Sequence, residues 1–295
     1  MITSSRLKDW CECISLLSHH LYRVCVSVQK TMSLRFFEGA KQAKIYAAVR
    51  PRYSDKVFDL IFKFCQGGSG KFKLAVDVAC GTGHQSTLPL VGRFEKVIGL
   101  DVSEQQLKQA PKNVANLEFR QSTAEHLSFL DPNSVDLVTA ASSFHWFNMP
   151  EFLTEVERVL SPGGCLAVYT YGWPSLRESG AKEILEKFIS TYLAEFYHAG
   201  NLMSIGGYKD VKLPFKDSQR DTVTLEMDWT VEQLCDFFQS TSVWQKRLKV
   251  FPDCDSLNAL EANLRRFYGW SSEDEHPRLT ALFSVAILLG RKPLE

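Results

Sequence analysis

Residues 74–84 read LAVDVACGTGH, a five-residue apolar run that holds one acid, Asp77, and passes directly into a turn with glycines at 81 and 83. An apolar run this short, bounded by glycine, reads as a strand buried on both faces. The two glycines permit positive φ and let another group approach the backbone closely. A strand that runs through such a turn into a helix opens a βαβ unit, and βαβ units require a mostly parallel sheet covered by helices on both faces. The rest of the chain continues the pattern. Short runs rich in β-branched residues at 96–101, 117–121, 135–140 and 165–171 predict four more strands. Between them, 103–110 opens with Ser103 and Gln106 at capping-box spacing. Residues 151–160 repeat apolar side chains at Phe152, Val156 and Val159 before stopping at Ser161-Pro162-Gly163-Gly164. Beyond Tyr171 the rhythm loosens. Helices are expected over 181–196, 230–239 and 257–268, strands over 222–228 and 282–289, and an irregular, lid-like insertion over 201–219.

The chain's 295 residues suit one large domain with a cap. Lys plus Arg and Asp plus Glu number 34 each, so no whole-chain charge points to nucleic acid or an anionic membrane. Eight cysteines without a CxxC pair argue against a zinc site or a disulfide framework, and we expect no metal and a reduced, cytoplasmic setting. Residues 14–28 are apolar in patches, but they include His19, His20 and Arg23 and are too short to span a bilayer. Residues 1–31 are expected to be a poorly ordered extension. The remainder, 32–295, is expected to form a single domain: a cofactor-binding core over 45–172, cap insertions over 173–280 and a closing strand over 281–293. Nothing in the sequence specifies an oligomer, so a monomer is the default.

In open parallel sheets, ligands bind outside the carboxyl ends of the strands where strand order reverses. Asp101 closes the second predicted strand, 24 residues after Asp77. An acid at that distance can accept both hydroxyls of a ribose, because a carboxylate offers two oxygens to two neighbouring donors. A helix-capping turn residue is the structural alternative for Asp101. The acid Asp77 beside the glycine turn speaks against a pyrophosphate, the usual occupant of such turns, and for a cationic ligand.

Asp77, Ala79, Gly81 and Gly83 together resemble motif I of the class I S-adenosylmethionine-dependent methyltransferases, with alanine at the first glycine place. The resemblance runs over most of 33–293 and is strongest over 74–168. It implies a Rossmann-like fold with seven strands, the last antiparallel, and S-adenosylmethionine as cofactor, released as S-adenosylhomocysteine. It places Ala124 and Glu125 at the adenine and Ala140 beside the methionine arm. The alternative at 122–125 is a plain helix N-terminus. There is no Asn/Asp-Pro-Pro-Tyr loop after strand four. The run His145-Trp146-Phe147 there, and Tyr46, Arg50 and Tyr53 near the amino end, resemble the trans-aconitate methyltransferase branch. By that resemblance Tyr46 and Arg50 close over the cofactor, Tyr53, Trp146, Tyr208 and Trp229 face the substrate, and His145 is the candidate catalytic side chain. The structural alternatives are a half-buried histidine, a surface arginine and tryptophans in a core.

The reaction implied is methyl transfer to a small-molecule acceptor, with a carboxylic acid favoured. A carboxylate is ionised at neutral pH and needs no general base, in accord with the absence of paired catalytic carboxylates. The alternatives are a protein or other macromolecular acceptor, a cofactor-binding protein without turnover, and a nicotinamide-dependent dehydrogenase.

Overall fold

The computed structural model describes residues 49–68, 72–271 and 273–295, which lie within one compact unit, Glu38–Glu295. Tyr46 and the expected extension over 1–31 fall outside the described residues. Helix α1 (Asp55–Gln66) leads into β1 (Leu74–Val78), α2 (Leu88–Val91), β2 (Lys96–Asp101), α3 (Glu104–Leu107), β3 (Leu117–Gln121) and β4 (Val135–Ala141). A 3-10 turn (Phe144–Trp146), α4 (Met149–Val159), β5 (Leu160–Tyr171) and the short β6 (Ser175–Leu176) follow. The carboxyl-terminal half adds α5 (Ser179–Tyr192), a second 3-10 turn (Ala194–Phe196), α6 (Ala199–Ile205), β7 (Asp217–Thr230), α7 (Val231–Gln239), α8 (Ser242–Val250), α9 (Ser256–Tyr268) and β8 (Arg278–Arg291).

All described strands join one eight-stranded sheet. β3, β2, β1, β4 and β5 lie side by side and parallel, and β8 runs antiparallel to β5. β7 pairs with β8 along its full length, from Asp217 opposite Arg291 to Thr230 opposite Arg278. The eighth strand, beyond the seven expected, is β6, which continues the line of β5 along β8 through Ser175 opposite Leu282. Strand order reverses between β1 and β4, whose carboxyl ends therefore open a crevice.

The central strands β2, β1, β4 and β5 are buried on both faces, as their continuous apolar runs require. One face packs Ala75, Leu137, Ala167 and Phe283 against Val57, Phe58, Ile61 and Phe62 of α1 and Phe237 and Phe238 of α7. The other packs Val76, Ile98, Leu100, Val138 and Val168 against Phe152, Val156 and Val159 of α4. Two sequence expectations are corrected, and one helix, α8, was not foreseen. The helix expected over 103–110 closes after Leu107, although Ser103 caps it by accepting from the Gln106 N–H at 3.3 Å. Residues 201–219 are not one irregular insertion: α6 occupies their start and β7 begins at Asp217, because His198 caps α6 in a reciprocal box with Asn201. α8, unmarked by amphipathic spacing, forms behind its own cap, Thr241, whose Oγ1 accepts from the Trp244 N–H at 3.2 Å.

Candidate active site

The loop after β1 follows the crevice floor with Ala79, Gly81 and Gly83 at φ of 52°, 59° and 74°. Ala79 takes up the left-handed conformation itself at the place where alanine stands for glycine. The loop is tied to β2 by the Cys80 N–H on the Leu100 carbonyl at 2.8 Å. The two glycines answer different demands. A Cβ on Gly83 would stand 2.5 Å from the Phe119 ring, whereas one on Gly81 would meet nothing within 4 Å. Gly83 is therefore a packing glycine, and Gly81 leaves open space above the loop.

Asp77 lies beneath this loop. It is fully buried, with Ser86 Oγ and Thr87 Oγ1 donating to Oδ2 at 2.6 Å each and Thr139 Oγ1 donating to Oδ1 at 2.7 Å. Burial raises its pKa above the usual carboxylate range, against the opposing pull of the three hydroxyls. The charge that the sequence suggested would confront a ligand is turned under the backbone and spent on holding the loop. The sequence does not mark Ser86, Thr87 or Thr139 as partners of Asp77. A carboxylate in a buried strand signals that donors must be found, but not which ones.

Asp101 stands at the crevice edge. Its Oδ2 accepts the Gly81 N–H and its Oδ1 the Ser103 N–H, both at 2.8 Å. Burial raises its pKa while these N–H bonds lower it. Each oxygen keeps a further lone pair, so the side chain can brace the loop and still accept from a vicinal diol. The open space at Gly81 beside this acceptor fits a nucleoside. After β3 there is no helix: Ala124 is buried in a turn, and Glu125 Oε1 accepts the Asn148 N–H at 2.8 Å, capping the start of α4. Ala140 is buried in β4 between Val78 and Val168.

Opposite β1 and β2, the other half of the crevice lies over β4 and β5. Ser142, the first residue past β4, has φ of 47°. Its Oγ meets Tyr53 Oη at 2.8 Å and Thr170 Oγ1 at 3.3 Å, and Thr170 Oγ1 meets Ser204 Oγ at 2.8 Å. Tyr53 packs edge-on against Tyr169 at 4.7 Å. Arg50 donates to the Ser240 carbonyl at 3.3 Å and lies 5.1 Å over the Phe237 ring. Trp146, half-buried, sits between the rings of His145 and His198, 4.8 Å from each. His145 is buried with its Nδ1 on Tyr208 Oη at 2.9 Å, and burial pulls its pKa down to about 3. His198 falls to about 4, through burial and then the charge of Lys246. Tyr208 and Trp229 were expected to face a substrate. Tyr208 instead has no exposed surface, and Trp229 packs on Phe237 and Phe283 at 5.6 and 5.3 Å.

Residues 76–168 match the family described as methyltransferase domain. A Dictyostelium discoideum protein named as a methyltransferase is 30% identical over 252 residues, which is 85% of this chain and 93% of that protein. A Saccharomyces cerevisiae protein named as an S-adenosylmethionine-dependent methyltransferase is 27% identical, over 68% of this chain and 78% of its own length. Among solved structures, one named a type II methyltransferase, from Anaeromyxobacter dehalogenans, superposes with a TM-score of 0.70 at 26% identity. It covers 83% of this chain and 100% of its own.

Proposed function

The chain belongs to the methyltransferase domain family, and from that premise we propose that it methylates a carboxylate oxygen of a small organic acid. S-adenosylmethionine is its cofactor, and when bound it supplies a methyl group carried on a sulfonium. Asp101 holds the ribose, Gly81 admits the nucleoside against the backbone, and Ala140 keeps the end of β4 narrow beside the methyl.

The observation that carries the acceptor class is the chemistry over β4 and β5. The polar groups there are hydroxyls, on Tyr53, Ser142, Thr170 and Ser204, with the cations Arg50 and Lys246 near the cap and a histidine held neutral by burial. None of these is an acid that would draw in an ammonium. His145 lacks both the basicity and the exposure of a general base. An acceptor that arrives already ionised requires neither. The protein's work is then to align the acceptor oxygen with the methyl and to exclude water, and alignment alone is worth up to roughly 7 to 11 kcal/mol. The His145-Trp146-Phe147 run and the aromatic cap support a place in the trans-aconitate methyltransferase-like branch.

The test is transfer of labelled methyl from S-adenosylmethionine to matched panels of organic acids, phenols and amines. Base-labile label in the acids alone supports the reading. Label in amines or phenols overturns it, and label only in added protein would transfer the assignment to a macromolecular acceptor.

A further inference from the structure

A line of four hydroxyls crosses the half of the crevice over β4 and β5 and joins four elements distant in the chain. Tyr53 stands before α1, Ser142 just past β4, Thr170 in β5 and Ser204 on α6, with successive oxygens 2.8, 3.3 and 2.8 Å apart. Thr170 is fully buried, whereas Ser142 and Ser204 are half-buried. The backbone holds the line in place. The Ser142 N–H donates to the Tyr169 carbonyl at 2.7 Å, which ties the residue after β4 to β5 beside Thr170. α6 lies close over the segments that follow both strands: a Cβ on Gly200 would stand 3.0 Å from the His145 carbonyl oxygen, and one on Gly172 3.0 Å from that of Ile205. Ser204, next to Ile205, therefore overhangs the carboxyl ends of β4 and β5.

A hydroxyl has one hydrogen to give and two lone pairs to receive. Four hydroxyls in line therefore carry four hydrogens for three internal contacts, and one hydrogen is left at the end towards which the line points. The Tyr53 end is buried against the rings of Tyr169 and Tyr171, at 4.7 and 5.7 Å. The Ser204 end has open surface. We propose that the line runs from Tyr53 through Ser142 and Thr170 to Ser204, and that Ser204 donates its hydrogen to the non-reacting carboxylate oxygen of the acceptor, an inference that rests on the carboxylate reading above. Each donor in such a line polarises the next, so the terminal hydroxyl donates more strongly than an isolated serine. A neutral donor on one oxygen fixes the carboxylate and leaves a lone pair of the other free to attack the methyl. A cation there would hold the acceptor more tightly but would withdraw charge from the attacking oxygen. Thr170 does not touch the acceptor; it is a positioning residue that acts through Ser204.

The experiment measures labelled methyl transfer from S-adenosylmethionine by the full chain, as wild type, Ser204→Ala, Thr170→Val, Thr170→Ser and the double variant Ser204→Ala with Thr170→Val. The acceptor is the organic acid that the wild type labels best in the panel above, at varied concentration. Calorimetry with S-adenosylhomocysteine reports that each variant is folded. We expect Ser204→Ala to raise KM for the acid about tenfold or more, the scale of one hydrogen bond to a charged group, with S-adenosylhomocysteine affinity unchanged. Thr170→Val should raise the same KM although it lies out of reach of the acceptor, and Thr170→Ser should restore it. The double variant should be no worse than Ser204→Ala, because the threonine acts only through that serine. An unmoved KM in Ser204→Ala, an additive double variant, failure of Thr170→Ser to rescue, or a parallel loss of S-adenosylhomocysteine affinity overturns the proposal. A wild type that labels no acid overturns the carboxylate reading and the role of Ser204 with it, a result distinct from an acid labelled equally well by wild type and Ser204→Ala.

Discussion

At the scale of single residues, two buried titratable side chains set the behaviour of the site. His145 is held neutral with a pKa of about 3, whereas a histidine in an unfolded chain titrates near 6.5. Below about pH 6.5 the unfolded chain therefore binds a proton that the native chain refuses. The stability present at neutral pH is lost as pH falls towards 3, with a slope approaching about 1.4 kcal/mol per pH unit for this one group. Denaturant midpoints measured across that range should fall more gently in His145→Gln, which keeps a polar partner for Tyr208 without a proton to gain. An unaltered slope would remove His145 from the account. Asp101 makes the other prediction at this scale. Asp101→Ala should weaken S-adenosylhomocysteine binding by about 1.5 to 3 kcal/mol, because it removes a charged acceptor and frees the Gly81 and Ser103 N–H groups together. Calorimetry showing unchanged affinity would reassign Asp101 to loop bracing alone.

At the scale of elements, the turn between β1 and α2 divides its labour between its glycines. Gly83→Ala forces both a left-handed backbone and a methyl into the Phe119 ring, so it should lower stability by about 1 to 3 kcal/mol in chemical denaturation. Gly81→Ala carries only the conformational cost, about 1 kcal/mol, but places its methyl in the open space above the loop. It should therefore remain folded and lose cofactor affinity. Equal effects on stability and affinity in the two variants would contradict this division. The elements also show why some segments were legible and others were not. β1 and β2 begin and end where their apolar runs do, since strands buried on both faces carry their signal in composition alone. α6 carries Gly200 and Asn201, poor helix formers, in its first turn and is capped by a histidine, so no local signal announces it. α8 carries Gln245, Lys246 and Arg247 in succession, and Arg247 is buried among Tyr192, Trp244 and Phe251, so a charged residue occupies the inner face that periodicity assigns to apolar ones.

At the scale of the described unit, the cap is welded to the sheet by β8. Phe283 is fully buried and touches Tyr171 of β5, Trp229 of β7 and Phe237 of α7 at 5.4, 5.3 and 5.2 Å. One side chain thus joins the parallel core to the elements over the acceptor half. Phe283→Ala should cost about 3 to 5 kcal/mol, with a single cooperative unfolding transition by both tryptophan fluorescence and far-ultraviolet circular dichroism. Two separated transitions would mean that cap and core fold independently. Arg50 belongs to the same weld, since its bond to the Ser240 carbonyl reaches from the segment before α1 to the end of α7.

The sequence by itself determined the α/β class, the glycine turn, the acid that closes β2 and the family, because these rest on local signals: apolar runs, spacing and a motif confined to residues 74–101. Only the tertiary structure decided that Asp77 looks inward to Ser86, Thr87 and Thr139 and that Tyr208 and Trp229 are core. It also decided that Tyr53, Ser142, Thr170 and Ser204 share one chain of hydroxyls. Burial and hydrogen-bond partners depend on which residues distant in the chain arrive at the same place. Tyr53 and Ser142 are 89 positions apart, and no periodicity or spacing encodes their meeting; the packing of α1, β4 and β5 against one another does.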